Sequence, residues 1–358
     1  MRRMIFSAVE ILDCCGAYTH CHYRVFCERV WFSQRESGSR SASGRIAPIG
    51  TALQFSYNAN KKRKITRANI MKLRGLAHIT LAYIVTIGVA WATLEALGQN
   101  PIWDMFWADI AATLAIFIFS RLYKNSSFYD AYWSVIPPLI ALYWALEATA
   151  SGVEVTRAWL VIILVWLWGI RLTANWATFW PGLQHEDWRY GPIKDNAGKL
   201  DSLADFSAIH LFPTVIVFIS CLPIYAAVAM DARPLNWLDY VAAAVTALAI
   251  LIELVADIQL HRFLNHRKEG EIMKTGLWAY SRHPNYFGEW LFWAGLTLFG
   301  TAAVPSSWWW TVPGSIAMLV MFLAASIPMI DKRSLERRPE YGEHMKRVSG
   351  FIPLPPKS

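Results

Sequence analysis

Eight long apolar runs dominate this sequence of 358 residues. Each is close to the roughly 20 residues that an α-helix needs to cross the hydrocarbon core of a bilayer. The runs lie at about 76–97, 103–121, 129–149, 157–177, 208–229, 237–258, 288–304 and 307–329. Because helices satisfy their own backbone hydrogen bonds in lipid, the pattern predicts an all-α, multi-pass transmembrane bundle of seven or eight helices.

The basic residues alternate between the connections of these runs. Lys and Arg are frequent at 61–74, 121–128, 181–207, 261–283 and in the tail from Asp331, and nearly absent from the other connections. Basic connections stay on the cytoplasmic side, so both termini are expected there. This pattern accounts for the net charge of +8, and we expect the bilayer as a partner and no nucleic acid.

The first 70 residues differ from the rest of the chain. They hold four of the five cysteines and a Ser/Gly/Arg run at 37–45, but no apolar run long enough to span a membrane. The cysteines lack the paired C-x-x-C spacing of zinc sites, so no metal is expected. We expect a disordered or wrongly translated extension at 1–70 and a membrane domain at 71–358.

Ionisable residues occur inside the apolar runs at helical spacing. Arg171 and Asn175 are four residues apart, and Glu253, Asp257 and His261 repeat at the same interval. An ionisable side chain in a spanning helix costs about 2.5 to 3.5 kcal/mol on insertion scales, so each requires a partner. A buried ion pair between Arg171 and the two carboxylates and a ligand-binding role both remain open.

A dense polar motif at 276–289 precedes the seventh run. Arg282 and His283 bring cationic donors to the membrane surface, and Pro284 is placed to begin a helix whose free amide groups suit a phosphate or carboxylate. Asn285 and Glu289 share the next helical face and offer groups for ribose hydroxyls or a carboxamide. Tyr280 and Tyr286 supply flat surfaces for a ring.

The tail after the last apolar run is also basic and ends in the apolar segment FIPLPP at 351–356. Basic residues in this position commonly bind lipid headgroups. The apolar, proline-bearing end instead predicts a tail that packs back onto the protein, where it could cap a cofactor.

These motifs together resemble a known family. They are GLWAYSRHPNYFGEW at 276–290, RLTANW at 171–176, EDWRY at 186–190, SIPMIDKRSLERRPEY at 326–341 and FIPLPP. The sequence is similar to the bacterial membrane proteins of the DUF1295 group, which are related to the C-terminal region of steroid 5-alpha-reductases. The resemblance runs from about Met71 onward, with the reductase-like region at about 155–358.

The resemblance implies an oxidoreductase acting on CH–CH groups, like 3-oxo-5-alpha-steroid 4-dehydrogenase. Such an enzyme transfers a hydride from NADPH to an activated C=C bond of a lipid-like, steroid-like enone, in a cofactor pocket that faces the cytoplasm. The residues expected to bind the cofactor are Arg171, Asp257, Arg282, His283, Asn285, Tyr286, Glu289, Arg333 and Tyr341. The catalytic acid is not assigned, because Trp168 stands where the reductases carry a Tyr.

Two alternatives remain beside the reductase. The Arg-His-Pro-x-Tyr-x-Gly signature also occurs in membrane methyltransferases related to isoprenylcysteine carboxyl methyltransferase, which bind S-adenosylmethionine. Those enzymes often carry a paired Glu-Glu where this chain has Asp331 and Lys332, so the reductase is favoured. The second alternative is a non-catalytic lipid-binding membrane protein, since a fold does not fix a chemistry.

Overall fold

The computed structural model describes residues 49–150, 156–230 and 233–357, with side chains from Asn69 onward. The contacts within the chain divide it into the units Met1–Lys64 and Ile65–Ser358. Most of the predicted extension at 1–70, including its four cysteines, lies outside the described residues. The fifth, Cys221, is buried and free, which suits a packing role.

The described residues form α-helices with short 3₁₀ and π segments and no strand. The only β-type pairing among them is an isolated bridge between Ser281 and Ser349. The α-helices are α1 Ile49–Leu97, α2 Pro101–Tyr123, α3 Tyr132–Ala150, α4 Thr156–Phe179, α5 Tyr190–Ala197, α6 Asp201–Ala204, α7 Phe212–Val228, α8 Trp237–His266, α9 Pro284–Ala303, α10 Trp308–Met321, α11 Ile327–Arg337 and α12 Tyr341–Arg347.

Six helical stretches among the described residues are long and apolar enough to cross a membrane. They are Asn69–Leu97, Pro101–Tyr123, Thr156–Phe179, Tyr190–Val228, Trp237–His266 and Pro305–Arg337. The predicted all-α, multi-pass membrane bundle is therefore confirmed. Helices α3 and α9 form at the two remaining predicted runs, with 19 and 20 residues.

Helix α9 lies against α7, α8 and α10. Its residues Phe292, Trp293, Leu296 and Phe299 are fully buried. Glycines on α9 permit close approach of its neighbours: a Cβ at Gly288 would lie 2.6 Å from Glu253 Cγ of α8. Small residues at such contacts are typical of helices that pack in a membrane.

Two ion pairs fix α4 beside α8. Arg157 Nε donates to Asp239 Oδ1 at 2.7 Å near the start of both helices. Arg171 and Glu253, each 14 residues further along its own helix, form the second pair. The two helices therefore run parallel and stay in register over about 21 Å, at 1.5 Å per residue.

Candidate functional site

The side chain of Arg171 lies where α4, α8 and α9 meet. It donates hydrogen bonds to Glu253 and, at 2.8 Å, to Asp257 Oδ2. Its Nη2 atom lies 4.0 Å from Glu289 Oε2, and the side chain is only 9% exposed. The ion pair that helical spacing left as one possibility is therefore present, with both carboxylates.

Two tryptophans bind Glu289, one at each of its two carboxylate oxygens. Trp293 Nε1 donates to Glu289 Oε1 at 2.9 Å, and Trp168 Nε1 donates to Oε2 at 3.0 Å. The Trp168 ring also stacks on Phe292, with the ring centroids 4.5 Å apart. Glu289 is 3% exposed, so neutral donors, and not water, satisfy its carboxyl group.

Three carboxyl groups thus surround a single guanidinium group in the interior of the helix bundle. Buried carboxyl groups in excess of their cations require bound protons, a further cation or a polar ligand. Two atoms of this carboxyl cluster, which comprises Arg171, Glu253, Asp257 and Glu289, are buried without a hydrogen-bond partner: Arg171 Nε and Glu253 Oε1. The cluster therefore retains unused hydrogen-bonding capacity.

The first turn of α9 presents polar groups beside the carboxyl cluster. Asn285 precedes Glu289 by one turn and is partly buried, and its amide makes no hydrogen bond with the described residues. The Tyr286 hydroxyl is likewise unpartnered there, while its ring contacts Phe322 with centroids 4.9 Å apart. These groups can accept and donate hydrogen bonds to a ligand without breaking an existing contact.

Cations approach the same region from the 186–190 loop and from α11. The guanidinium of Arg333 lies 3.7 Å from the centroid of the Trp188 ring and forms no ion pair within the described part of the chain. In the loop, Arg189 donates two side-chain hydrogen bonds to Asp187, each 2.9 Å. Burial raises the pKa of Asp187, but the hydrogen bonds from Arg189 outweigh it and hold that pKa below its ordinary value.

Asp331 of α11 binds three side chains of the predicted site. Arg282 Nη2 donates to its Oδ2 at 2.6 Å, Tyr341 donates to Oδ1 at 2.9 Å, and His283 Nε2 lies 2.9 Å from Oδ1. Burial, followed by the neighbouring Asp331 carboxylate, raises the pKa of Tyr341 well above its ordinary value. These contacts join the start of α9 to α11 and the tail.

The tail packs back onto the protein, as its apolar end predicted. Ser281 Oγ donates to the carbonyl oxygen of Phe351 at 2.7 Å, and Leu354 N donates to the Tyr280 carbonyl at 3.0 Å. Arg282 Nη1 also donates to the Val348 carbonyl at 2.6 Å. These three hydrogen bonds and the buried Phe351 ring attach the tail to residues 280–282.

The predicted cofactor residues thus divide into three groups. Arg171, Asp257 and Glu289 form part of the carboxyl cluster; Asn285, Tyr286 and Arg333 keep unpaired polar groups; Arg282, His283 and Tyr341 are bound to Asp331. Their roles toward a cofactor stay predictions.

Sequence reasoning did not identify the partners that hold these residues. Trp293 follows Glu289 by one helical turn, and Trp168 precedes Arg171 by three residues, so helical spacing gave a usable signal for both. Asp331 is 49 residues from Arg282, and no local pattern links the two.

Comparison with known proteins places this arrangement in a family. The family model described as "Protein of unknown function (DUF1295)" matches residues 116–348. The chain is 26% identical over 254 residues to an uncharacterized protein of Schizosaccharomyces pombe, covering 64% of this chain and 73% of that protein. No solved structure matches. The family match covers more than half of the chain and includes the residues of the candidate site, so this protein belongs to the DUF1295 family.

Proposed function

We propose that this protein is a membrane-embedded, NADPH-dependent reductase of an activated C=C bond in a lipid-like enone. The observation that supports it best is the partly buried first turn of α9. There the unpaired Asn285 amide and Tyr286 hydroxyl adjoin the carboxyl cluster, and Arg333 offers an unpaired guanidinium. A lipid-like substrate would reach such a site from the bilayer.

The proposed topology places both termini and this site on the cytoplasmic side. It rests on the basic connections on that side, including 261–283 and the tail, and on their near absence from the alternate connections. In a bacterial cell the membrane would be the inner membrane. A cytoplasmic site gives access to soluble nucleotide.

The residues present fit a dinucleotide. Arg333 can bind phosphate, since its guanidinium forms no ion pair or hydrogen bond with a carboxylate of the described residues. The Asn285 amide can bind ribose hydroxyls or a carboxamide, and the unpartnered buried atoms of Arg171 and Glu253 offer a donor and an acceptor. When bound, NADPH supplies a hydride to the β-carbon of the enone, and a proton from the medium completes the saturated product.

The remaining residues of the site position these groups. Glu289 keeps its rotamer because two indoles bind its two oxygens. Arg171 orients Glu253 and Asp257 of α8 through its two ion pairs. The stacked rings of Trp168 and Phe292 are fully buried beside Glu289 and leave no room for water there.

One observation favours a second candidate, an S-adenosylmethionine-dependent membrane methyltransferase. The carboxyl cluster has three acidic side chains and one guanidinium. An acidic excess in a buried site suits a cationic ligand, and the sulfonium of S-adenosylmethionine carries a positive charge. The unpaired Asn285 would serve this ligand equally well.

Calorimetric titration of the detergent-purified protein distinguishes the candidates. We expect NADPH to bind and S-adenosylmethionine not to bind. Asn285→Ala should weaken NADPH binding up to about tenfold, the effect of one lost hydrogen bond. Asn69→Ala is the matched control, because Asn69 is exposed and forms no hydrogen bond with the described residues.

The other outcomes are equally decisive. Binding of S-adenosylmethionine alone would replace the reductase with the methyltransferase. Binding of neither would leave the non-catalytic lipid-binding protein. If NADPH binds but Asn285→Ala behaves as wild type, the first turn of α9 is not the nucleotide site.

A further inference from the structure

A basic cleft lies apart from the carboxyl cluster, between the turn that follows α8 and the end of α11. It has a volume of about 350 Å³. Its lining residues are Arg267, Lys268, Glu269, Gly270, Arg337 and Arg338. Four cationic side chains therefore face one carboxylate.

One hydrogen bond joins the two sides of the cleft, and a second shapes the turn on one side. Arg338 Nη1 of one side donates to the carbonyl oxygen of Glu271 on the other, at 3.0 Å. The Glu271 carboxylate accepts from Lys268 N at 2.9 Å, within the turn. Gly270 has a φ of +84°, a left-handed conformation that favours glycine and tightens the turn. The turn after α8 and the end of α11 are therefore in direct contact.

The cations of the cleft keep most of their donors unused. The side chains of Arg267, Lys268 and Arg337 form no ion pair or hydrogen bond within the described residues. Guanidinium groups bind phosphate oxygens through paired N–H donors. A phosphate monoester carries a charge of about −1.5 to −2 near pH 7 and three acceptor oxygens, so it matches several convergent cations better than a diester does.

The cleft lies one helical turn of α11 away from Arg333 of the candidate site. Arg337 follows Arg333 by four residues, so their side chains share a face of the helix, with about 6 Å between them along the axis. Arg333 in turn lies over the Trp188 ring. A row of cations therefore leads from the proposed nucleotide site to the cleft.

We propose that this cleft binds a phosphate monoester. This inference rests on the proposed function, and it assigns the cleft to the 2′-phosphate of NADPH. That phosphate is the group that distinguishes NADPH from NADH. A phosphatidic acid headgroup in the cytoplasmic leaflet has the same chemistry and is the second possible source. In both cases Arg267 and Arg337 are the residues that bind the phosphate.

The test compares three soluble probes on the full-length protein in neutral detergent. NADPH, NADH and adenosine 2′,5′-bisphosphate are titrated into wild type, Arg267→Gln and Arg337→Gln. Each variant should weaken binding of NADPH and of the bisphosphate about tenfold and leave NADH binding unchanged. Arg74→Gln is the control, since Arg74 is an exposed arginine of α1 without an ion pair in the described residues.

A second arm measures binding to phosphatidic acid. The same variants are placed in nanodiscs of phosphatidylcholine with and without phosphatidic acid, and retention of the acid lipid is measured. Loss of lipid retention in Arg267→Gln and Arg337→Gln, with unchanged nucleotide binding, would support the cleft and assign it to the lipid. Unchanged binding of every probe in both variants would overturn the inference.

The proposed function and the inference fail in different ways. If wild type binds neither NADPH nor NADH, the reductase fails, and the bisphosphate and lipid arms still decide whether the cleft binds a monoester. In the other case, wild type binds both NADPH and NADH. If both variants then keep the wild-type ratio of NADPH affinity to NADH affinity, and also retain phosphatidic acid as wild type does, the reductase stands and the inference is wrong.

Discussion

Replacing Gly288 with alanine would place a methyl group in the contact between α8 and α9. The new Cβ would lie 2.6 Å from Glu253 Cγ and 3.1 Å from the Ala249 carbonyl oxygen. Carbon atoms in contact prefer separations of about 3.5 to 4.0 Å. The Glu253 side chain cannot turn away freely, because its carboxylate binds Arg171. The two helices must therefore separate, or the ion pair must rearrange.

The expected size of the effect follows from two opposing contributions. Overpacking of a close contact costs about 1 to 3 kcal/mol. Alanine in place of glycine in a helix returns up to about 1 kcal/mol. We expect a net loss of about 1 to 2 kcal/mol. Because the entropy of unfolding is about 2.1 cal/mol/K per residue, this loss lowers the unfolding temperature of a 358-residue chain by roughly 1 to 3 °C.

Thermal unfolding in detergent measures this change directly. Gly88→Ala is the matched control, because a Cβ on Gly88 in α1 meets no atom within 4 Å. That variant should unfold at the wild-type temperature or slightly above it. If Gly288→Ala were also as stable as wild type, the close packing of α9 on α8 would be wrong, and with it the placement of Glu253 beside Arg171.

Three further predictions concern single contacts. Arg171→Gln leaves Glu253 and Asp257 without a cation and should destabilise the protein by about 3 to 5 kcal/mol in thermal unfolding. A loss below about 1 kcal/mol would mean that these two ion pairs are solvated. Tyr341→Phe removes one of the donors to Asp331 and should destabilise the tail contact by about 1 kcal/mol, measured as faster proteolysis of the tail; an unchanged rate would mean that the contact does not hold the tail. Burial raises the pKa of Asp130, in the connection between α2 and α3, from 3.8 to about 6. The folded protein then binds this proton more tightly than the unfolded chain, so stability is full below about pH 4 and falls as the pH rises through 6, by up to about 3 kcal/mol. Unfolding temperatures from pH 5 to 7 should show this slope in wild type and lose it in Asp130→Asn; the same slope in both would assign it to another group.

The sequence by itself determined the features that depend on local spacing. The lengths of the apolar runs predicted the helices that cross the membrane, since the thickness of the bilayer sets that length. Pro284 marked the first residue of α9. The backbone N–H at the start of a helix has no acceptor within the helix, so a proline, which lacks this N–H, is well accommodated there. The spacing of Glu253 and Asp257 placed both carboxylates on one face of α8, and the packing of α4 on α8 decided that this face binds Arg171.

Tertiary structure decided which partner each polar group found. The sequence showed that Arg282 and His283 were cationic donors near the membrane surface. Their common acceptor, Asp331, lies 49 and 48 residues later in the chain, in the helical stretch that follows α9. The two indoles that bind Glu289 come from α4 and α9. The unpaired amide of Asn285 and the basic cleft are likewise visible only once the helices are packed, because being unpaired depends on every neighbour in space and not on neighbours in sequence.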